Sequence, residues 1–425
     1  MDRSSLVVNN QRILVFRPGQ LGDTIAAVPA LHVLRAAHPG AHITWLSDRQ
    51  VGKNYVTAQD LLGGSGLVDE FMSYDVDSQT GIFGTIRGKV SLAWRLRKKG
   101  FDRCVYLAPS LRTKGQVKRD RLFFRLAGIK DVVGTDVKIV ENVEGVEDGK
   151  TVEVVEGVED VEAGKPPEDV SAGGRFQRFQ RLERFQRLER FQRLERFQRF
   201  QRLQRFQRFQ RPLHEADRLL ARLSVDGYEV PEPGQGCMDL CLGEAERRRV
   251  DEWLNAPPPD EARPWIGVGP GSKMAAKRWP EDRYVEVVQK LIEKFDIWPV
   301  VLGGSEDRAI ARRLVDQWGC GYVAAGELGV REAAEALSRC VMYVGNDTGT
   351  MHLAAAAGTR CVAVFSCRDR PGKWEPYGAG HRVLRAEMEC AGCMKQTCEE
   401  RENECLRAIE VDEVYAACEE VVNDR

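Results

Sequence analysis

Four short stretches carry side chains whose types and spacing suit a phosphate or a polyhydroxy ligand. Arg17-Pro18-Gly19-Gln20-Leu21-Gly22-Asp23 sets a carboxylate at the end of a glycine-bearing turn. Gly269-Pro270-Gly271-Ser272-Lys273 is followed closely by Lys277-Arg278-Trp279-Pro280. Gly303-Gly304-Ser305-Glu306 is the third, and Asn346-Asp347-Thr348-Gly349 with His352 is the fourth. Glycines let the backbone approach a ligand, and Lys277 brings a compact positive charge. Glu306, at a helix start, suits ribose hydroxyls as acids do in nucleotide-binding sheets. Each residue also has a plain structural role. Asp23 can cap a helix, Glu306 can face a helix dipole, Lys277 can be a solvated charge, and His352 can be packed. Their coincidence at strand ends is what makes them a set.

The elements that position them follow from pattern. Val341–Val344 is an apolar run that stops at Gly345-Asn346-Asp347, and Met351–Ala357 is a strong helix former closed by Gly358. This is a buried strand, a tight turn and a helix. The turn leaves the first N–H groups of the helix free, and the dipole adds about half a positive charge there, which suits a phosphate. The ordinary alternative is a strand–helix connection with Asp347 or Thr348 as N-cap. Arg12–Arg17 reads as a strand, with a helix predicted from Thr24 to about His38 and a second strand at His42–Leu46. That order puts Asp23 at the carboxyl end of a sheet, where open α/β sheets bind ligands. Neither G-x-G-x-x-G nor G-x-x-x-x-G-K-[ST] occurs, so dinucleotide and P-loop chemistry are unsupported.

Strands alternate with helices in both halves. This predicts an α/β protein with two doubly wound parallel sheets facing a cleft. Ala256-Pro257-Pro258-Pro259-Asp260 reads as a stiff linker between a first domain over residues 1–255 and a second over 261–425. The last helix, about Val411–Val422, has no position the pattern fixes, and packing back on the first domain is one option.

At 425 residues the chain can hold two such domains. Lys and Arg (63) nearly cancel Asp and Glu (64), so no global basic bias points to nucleic acid. No apolar stretch approaches the length that spans a membrane. The start, MDRSSLVVNNQ, lacks an apolar signal core, which predicts a cytoplasmic protein whose twelve cysteines are mostly reduced thiols. The charge balance hides a local asymmetry. Asp136–Gly174 holds twelve acids against three lysines, and Arg175–Arg211 holds thirteen arginines against three glutamates in R-F-Q, R-L-E and R-L-Q triplets. A period of three matches neither helix nor strand, so residues 136–211 read as a low-complexity insertion. It is either neutral or a basic, Phe-interleaved arm for polyanions.

The four stretches, with Pro29-Ala30-Leu31 and Thr350–Ala354, resemble glycosyltransferase family nine, the ADP-heptose:lipopolysaccharide heptosyltransferases. In order and spacing the resemblance covers most of the chain outside residues 136–211. It implies a GT-B architecture with two Rossmann-like domains, the donor nucleotide on the second and the acceptor on the first. It further implies an inverting transfer with no metal and no cofactor beyond the ADP-sugar donor. Asp23 would take the proton of the acceptor hydroxyl, a role worth typically about 10²–10⁴ in rate. Arg17, Gly19, Gln20 and Gly22 would form the acceptor-side loop. Ser272, Lys273, Lys277, Glu306, Asp347, Thr348, Gly349 and His352 would hold the nucleotide sugar. Lys277, Ser272 and the N–H groups of Thr348 and Gly349 would meet the diphosphate, while Asp347 would fix the turn or meet sugar hydroxyls.

The implied partners are a nucleotide sugar and a glycan or lipid-linked acceptor at the inner face of the membrane, with transient contact to anionic lipid and no nucleic acid. Pro18-Gly19 departs from the small-polar pair of the core heptosyltransferases, which leaves the donor sugar and the acceptor open. Two other readings remain: a GT-B nucleotide-sugar epimerase or hydrolase, and a non-catalytic polyanion-binding protein on this scaffold. Cys390-x2-Cys393-x4-Cys398-x6-Cys405 is dense enough to raise zinc or an iron–sulfur cluster, but its spacing matches no ligand pattern, and none is expected.

Overall fold

The structure is a computed structural model that describes residues 11–50, 52, 55–76, 86–109, 112–135, 213–254 and 263–424. The low-complexity insertion at 136–211 and the linker at 256–260 lie outside the described residues. In the first domain β1 (Arg12–Phe16), β2 (His42–Gln50), β3 (Glu70–Val76), β4 (Arg103–Tyr106) and β5 (Asp131–Val133) form a parallel sheet in the order β3-β2-β1-β4-β5. Its helices are α1 (Leu21–Ala26), α2 (Val28–Ala37), α3 (Ala58–Leu62), α4 (Ile86–Lys99) and α5 (Lys114–Leu126). The apolar run of β1 is buried, as expected of a central strand with helices on both faces.

The single helix expected from Thr24 to His38 is two. Pro29 stands in the first turn of α2 and has no N–H to continue the ladder, so the chain breaks at Ala27. Helix α1 also starts three residues earlier than expected, which brings Asp23 inside its first turn.

Two helices, α6 (Glu215–Val225) and α7 (Glu244–Leu254), precede the second domain. There β6 (Trp265–Gly269), β7 (Trp298–Val301), β8 (Tyr322–Val323), β9 (Cys340–Asn346), β10 (Cys361–Phe365) and β11 (Arg382–Arg385) run parallel in the order β11-β10-β9-β6-β7-β8. Its helices are α8 (Glu281–Phe295), α9 (Arg308–Trp318), α10 (Val330–Ser338), α11 (Gly349–Ala356), α12 (Glu404–Arg407) and α13 (Val411–Asn423). Helix α13 packs on α8 and on β9 and β10, with Val414, Cys418 and Val421 in that domain's core. The return to the first domain that the sequence left open is therefore not taken: the apolar stripe of α13 is already covered at home.

The domains meet along an apolar seam. One cluster of buried side chains runs from Ile13, Ile25 and Leu31 through Leu240 to Met351 and Phe365. Arg331 of α10 is a polar pin across it. Its guanidinium donates to the carbonyl oxygens of Leu61 at 2.9 Å and Leu240 at 3.1 Å and pairs with Glu246 at 2.6 Å. Among the described residues no helix is long and apolar enough to cross a membrane.

Candidate active site

In each sheet the strand order reverses once, between β1 and β4 in the first and between β6 and β9 in the second. Such switch points leave a crevice at the carboxyl edge, because the connections depart in opposite directions. Arg17–Asp23 leaves the end of β1, while Ser272–Lys277 and Asp347–Gly349 leave the ends of β6 and β9.

On the first domain the turn after β1 is built around Arg17, which is 1 % exposed. Its guanidinium donates to the carbonyl of Leu107 at 2.7 Å and to that of Asp23 at 2.9 Å. It also pairs with the carboxylates of Asp23 at 3.1 Å and Glu215 at 3.2 Å. Gly19 has φ +138°, and a Cβ there would stand 2.5 Å from the Asp23 carboxylate, so both backbone and space require glycine. Its N–H donates to Asp48 at 2.7 Å. Gln20 is the exposed N-cap of α1, and its N–H donates to the second Asp23 oxygen at 3.1 Å. Asp23 is not the N-cap of its plain reading: it stands third in α1 and accepts from the amide of the N-cap, Gln20. It also remains reachable, with 23 % of its side chain exposed. Burial pushes its carboxyl above the ordinary value against the pull of Arg17 and the Gln20 amide, and Glu215 and Asp48 add to the rise.

On the second domain Asn346 holds the loops together. Its side chain donates to the Pro270 carbonyl at 2.7 Å and accepts from the Trp279 N–H at 3.0 Å and the Tyr284 hydroxyl at 2.9 Å. Trp279 is thus locked, and Lys277 projects toward Asp347 at 2.5 Å and Asp369 at 3.2 Å. Burial raises the Asp347 carboxyl, with Lys277 pulling it back. Asp369 is also buried, but Lys277 and Arg368 prevail and hold it below the ordinary value. Thr348 takes the N-cap position of α11 without a side-chain cap; its hydroxyl turns to the Asn346 carbonyl at 3.4 Å. The leading N–H groups of α11 therefore have neither an intrahelical acceptor nor a capping side chain.

The Ser272 oxygen accepts from the Met274 N–H at 3.2 Å, and Lys273 is exposed on the same loop. Glu306 is exposed beyond β7, folded back over Gly304, whose N–H donates instead to Asp307 at 3.0 Å.

The two halves face one another through α1 and α11. A Cβ on Gly22 would stand 3.0 Å from the His352 ring, and one on Gly349 would stand 2.9 Å from Leu21. His352 is buried, its ring packs edge-on against Trp374, and burial drives its pKa down to about 3, so it is neutral.

Several residues of this site carried no mark in the sequence reading. Lys373 and Trp374 belong to a second-domain loop that reaches the first domain: the Glu215 N–H donates to the Lys373 carbonyl at 3.0 Å, and Lys373 Nζ lies 3.9 Å from the Glu215 carboxylate. His214 caps α6 by accepting from the Ala216 N–H at 3.0 Å, which leaves Nε2 to donate to the Glu375 carbonyl at 2.9 Å. Burial lowers its pKa to about 4, in keeping with that neutral tautomer. Asp48 and Asp369 end or follow strands flanking the switch points, a position that could have marked them.

Cys390, Cys398 and Cys405 are partly buried and Cys393 is exposed, all as free thiols. Among the described residues no three His, Cys, Asp or Glu side chains are grouped to hold a metal. A groove of about 720 Å³ lined by His32, His38, Arg103 and Tyr228 lies at the opposite, amino edge of the first sheet, away from the chemistry described.

Two Rossmann-like domains opposed at their switch points are the GT-B architecture, and solved structures agree. A glycosyl transferase family 9 structure from Veillonella parvula aligns with a TM-score of 0.64 at 20 % identity, over 98 % of both chains. The Escherichia coli ADP-heptose lps heptosyltransferase II aligns at 0.60 and 19 %, over 97 % of this chain and 99 % of that one. Residues 207–403 match the model of Glycosyltransferase family 9 (heptosyltransferase). Lipopolysaccharide heptosyltransferase 2 of Escherichia coli (strain K12) is 32 % identical over 130 residues, 29 % of this chain and 36 % of the relative. The family match over residues 207–403 and this relative both support glycosyltransferase family 9. The stretch aligned in sequence spans about a third of that curated relative's length.

Proposed function

We propose that the protein is an inverting glycosyltransferase that moves a sugar, heptose in our reading, from an ADP-sugar to a lipopolysaccharide-core or other glycan acceptor. The family match over residues 207–403 supports the reaction class. The observation that carries the reading is the approach of the Asp23 turn to the amino end of α11 across the Gly22–His352 contact. Asp23 would accept the proton of the acceptor hydroxyl as that oxygen bonds to the anomeric carbon. The bond from that carbon to the diphosphate oxygen would break, leaving ADP. The charge developing on the diphosphate would meet the leading N–H groups of α11, Ser272 and Lys277, donors worth roughly 3 kcal/mol each. Glu306 and Lys273 would border the nucleotide from the β7 side. The chain would work in the cytoplasm, at the inner face of the membrane.

Calorimetry and product analysis test this together. ADP is expected to bind in the micromolar range and to bind at least tenfold more weakly to Lys277→Ala. Mass spectrometry of products from a panel of nucleotide sugars and acceptors is expected to show glycosyl transfer only when both substrates are present. Donor turnover without acceptor, or no ADP binding at all, would overturn the reading.

A further inference from the structure

Five large apolar side chains stand out as exposed among the described residues, and four share one face. Val90 and Trp94 of α4 are each 63 % exposed, and Leu122 and Leu126 of α5 are 57 % and 68 % exposed. Each pair is spaced i, i+4, so each forms a row along its helix. The rows lie opposite the buried stripes. Leu92 and Leu96 of α4, and Asp120 and Phe124 of α5, point into the core, two residues and hence about 200° away from Val90, Trp94, Leu122 and Leu126. The two helices touch, and both pack on the same core cluster covering one side of the first sheet, so both rows look outward the same way.

The same face is strongly basic. Helix α4 carries six Lys or Arg and no acid. Helix α5 carries five and one acid, Asp120, which is buried and paired with Arg112. Arg87, Arg97, Lys118, Arg121 and Arg125 are exposed, and Lys98 Nζ lies 5.4 Å from the centre of the Trp94 ring. An exposed Trp and aliphatic rows bordered by arginine and lysine have the make-up of an interfacial surface, where apolar side chains enter the acyl boundary and cations meet anionic headgroups.

We propose that the outer face of α4 and α5 docks on an anionic lipid bilayer, with Trp94, Leu122 and Leu126 as the inserted side chains. Charge sign selects the occupant. A second copy of this face would bring like charges together, and nucleic acid would not call for two aliphatic rows. The face belongs to the lobe assigned above to the acceptor, yet vesicle binding needs no turnover, so the two readings fail separately.

The test is flotation of the full-length protein with vesicles of phosphatidylcholine alone or mixed with phosphatidylglycerol. Partition is expected only with the anionic vesicles, falling as salt rises. Lys118→Gln and Arg125→Gln should each lower it about fivefold. Trp94→Ser with Leu126→Ser should lower it roughly tenfold or more on the same vesicles, with the melting temperature unchanged because both sites are exposed. Acyl chains carrying bromine should quench the part of the fluorescence that Trp94→Phe removes. Three results would overturn the proposal. One is partition that ignores phosphatidylglycerol or these substitutions. Another is a Trp94-dependent dimer without vesicle binding. The third is Trp94-dependent binding to a single-stranded oligonucleotide without vesicle binding.

Discussion

Two buried charge clusters face each other across the domain seam, each with one cation between two acids, and they are built for different purposes. In the first domain the cation is Arg17, whose rigid fork is spent on two backbone carbonyls and on Glu215 as well as on Asp23. In the second it is Lys277, a flexible amine with 13 % of its side chain exposed, held by Asp347 and Asp369 alone among the contacts seen. An arginine committed in this way is a scaffold: it sets the carboxylate of Asp23 and has four of its five donors already engaged. A lysine between two acids can turn one of its three hydrogens to an incoming anion. The acids differ too. Asp23 and Asp347 are both raised by burial, but Asp23 keeps 23 % of its side chain exposed against 5 % for Asp347, and Asp369 is held low by its cations. A carboxylate that must take a proton belongs in the first setting.

The largest expected effect separates the two clusters by chemistry. Asp23→Asn should cut turnover by about 10²–10⁴, while ADP binding measured by calorimetry stays within twofold of wild type. If ADP affinity falls in parallel with turnover, Asp23 is a structural cap and the assignment of roles is wrong.

The second expectation separates them by stability. Arg17→Met removes the buried cation that bridges Glu215 and Asp23, and breaking a buried pair in this way costs about 3–5 kcal/mol. Lys277→Met leaves Asp369 with Arg368 at 2.6 Å, and Asp347, whose carboxyl burial already raises, can take up a proton once Lys277 is gone, so the cost should be nearer the roughly 1–3 kcal/mol of a lost buried hydrogen bond. Thermal unfolding of the two variants checks the order. A larger drop for Lys277→Met would reverse the distinction between scaffold and ligand-facing cation.

The sequence makes some of this cluster legible and hides the rest for a physical reason. Gly19, Gly22, Thr348 and Gly349 are local devices: turns and helix starts are written in adjacent residues, and each lies where its spacing puts it. The strand alternation likewise gives both parallel sheets. Strand order is different, since it decides which loops become neighbours. Asp48 meets Gly19 only because β2 lies beside β1. Glu215 has no local signal at all: its burial depends on a loop from the other domain, Lys373 and Trp374 included, laid across the start of α6. Helix α4 escaped notice because its apolar positions, Leu92 and Leu96, are outnumbered by six cations, and the exposed Trp94 and Val90 blur its period. The misplaced start of α1 had a similar origin. Asp23 looks like a cap ahead of a helix until the Gln20 N–H is seen to need it.

The smallest expected effect is the sharpest on the first cluster. As a base Asp23 must be deprotonated, so kcat/KM should fall as pH drops through a value above the ordinary carboxylate range, the direction in which burial moves it. Glu215 contributes to that rise, and it shares Arg17 with Asp23. Glu215→Gln removes one negative charge and leaves Arg17 facing a single carboxylate, and both changes favour ionised Asp23. The acidic limb of the pH profile should therefore move down in Glu215→Gln, with Lys277→Arg as a control that leaves it in place. A limb that stays put or moves up would mean that some other group titrates, and that Arg17 does not link the two acids as the geometry requires.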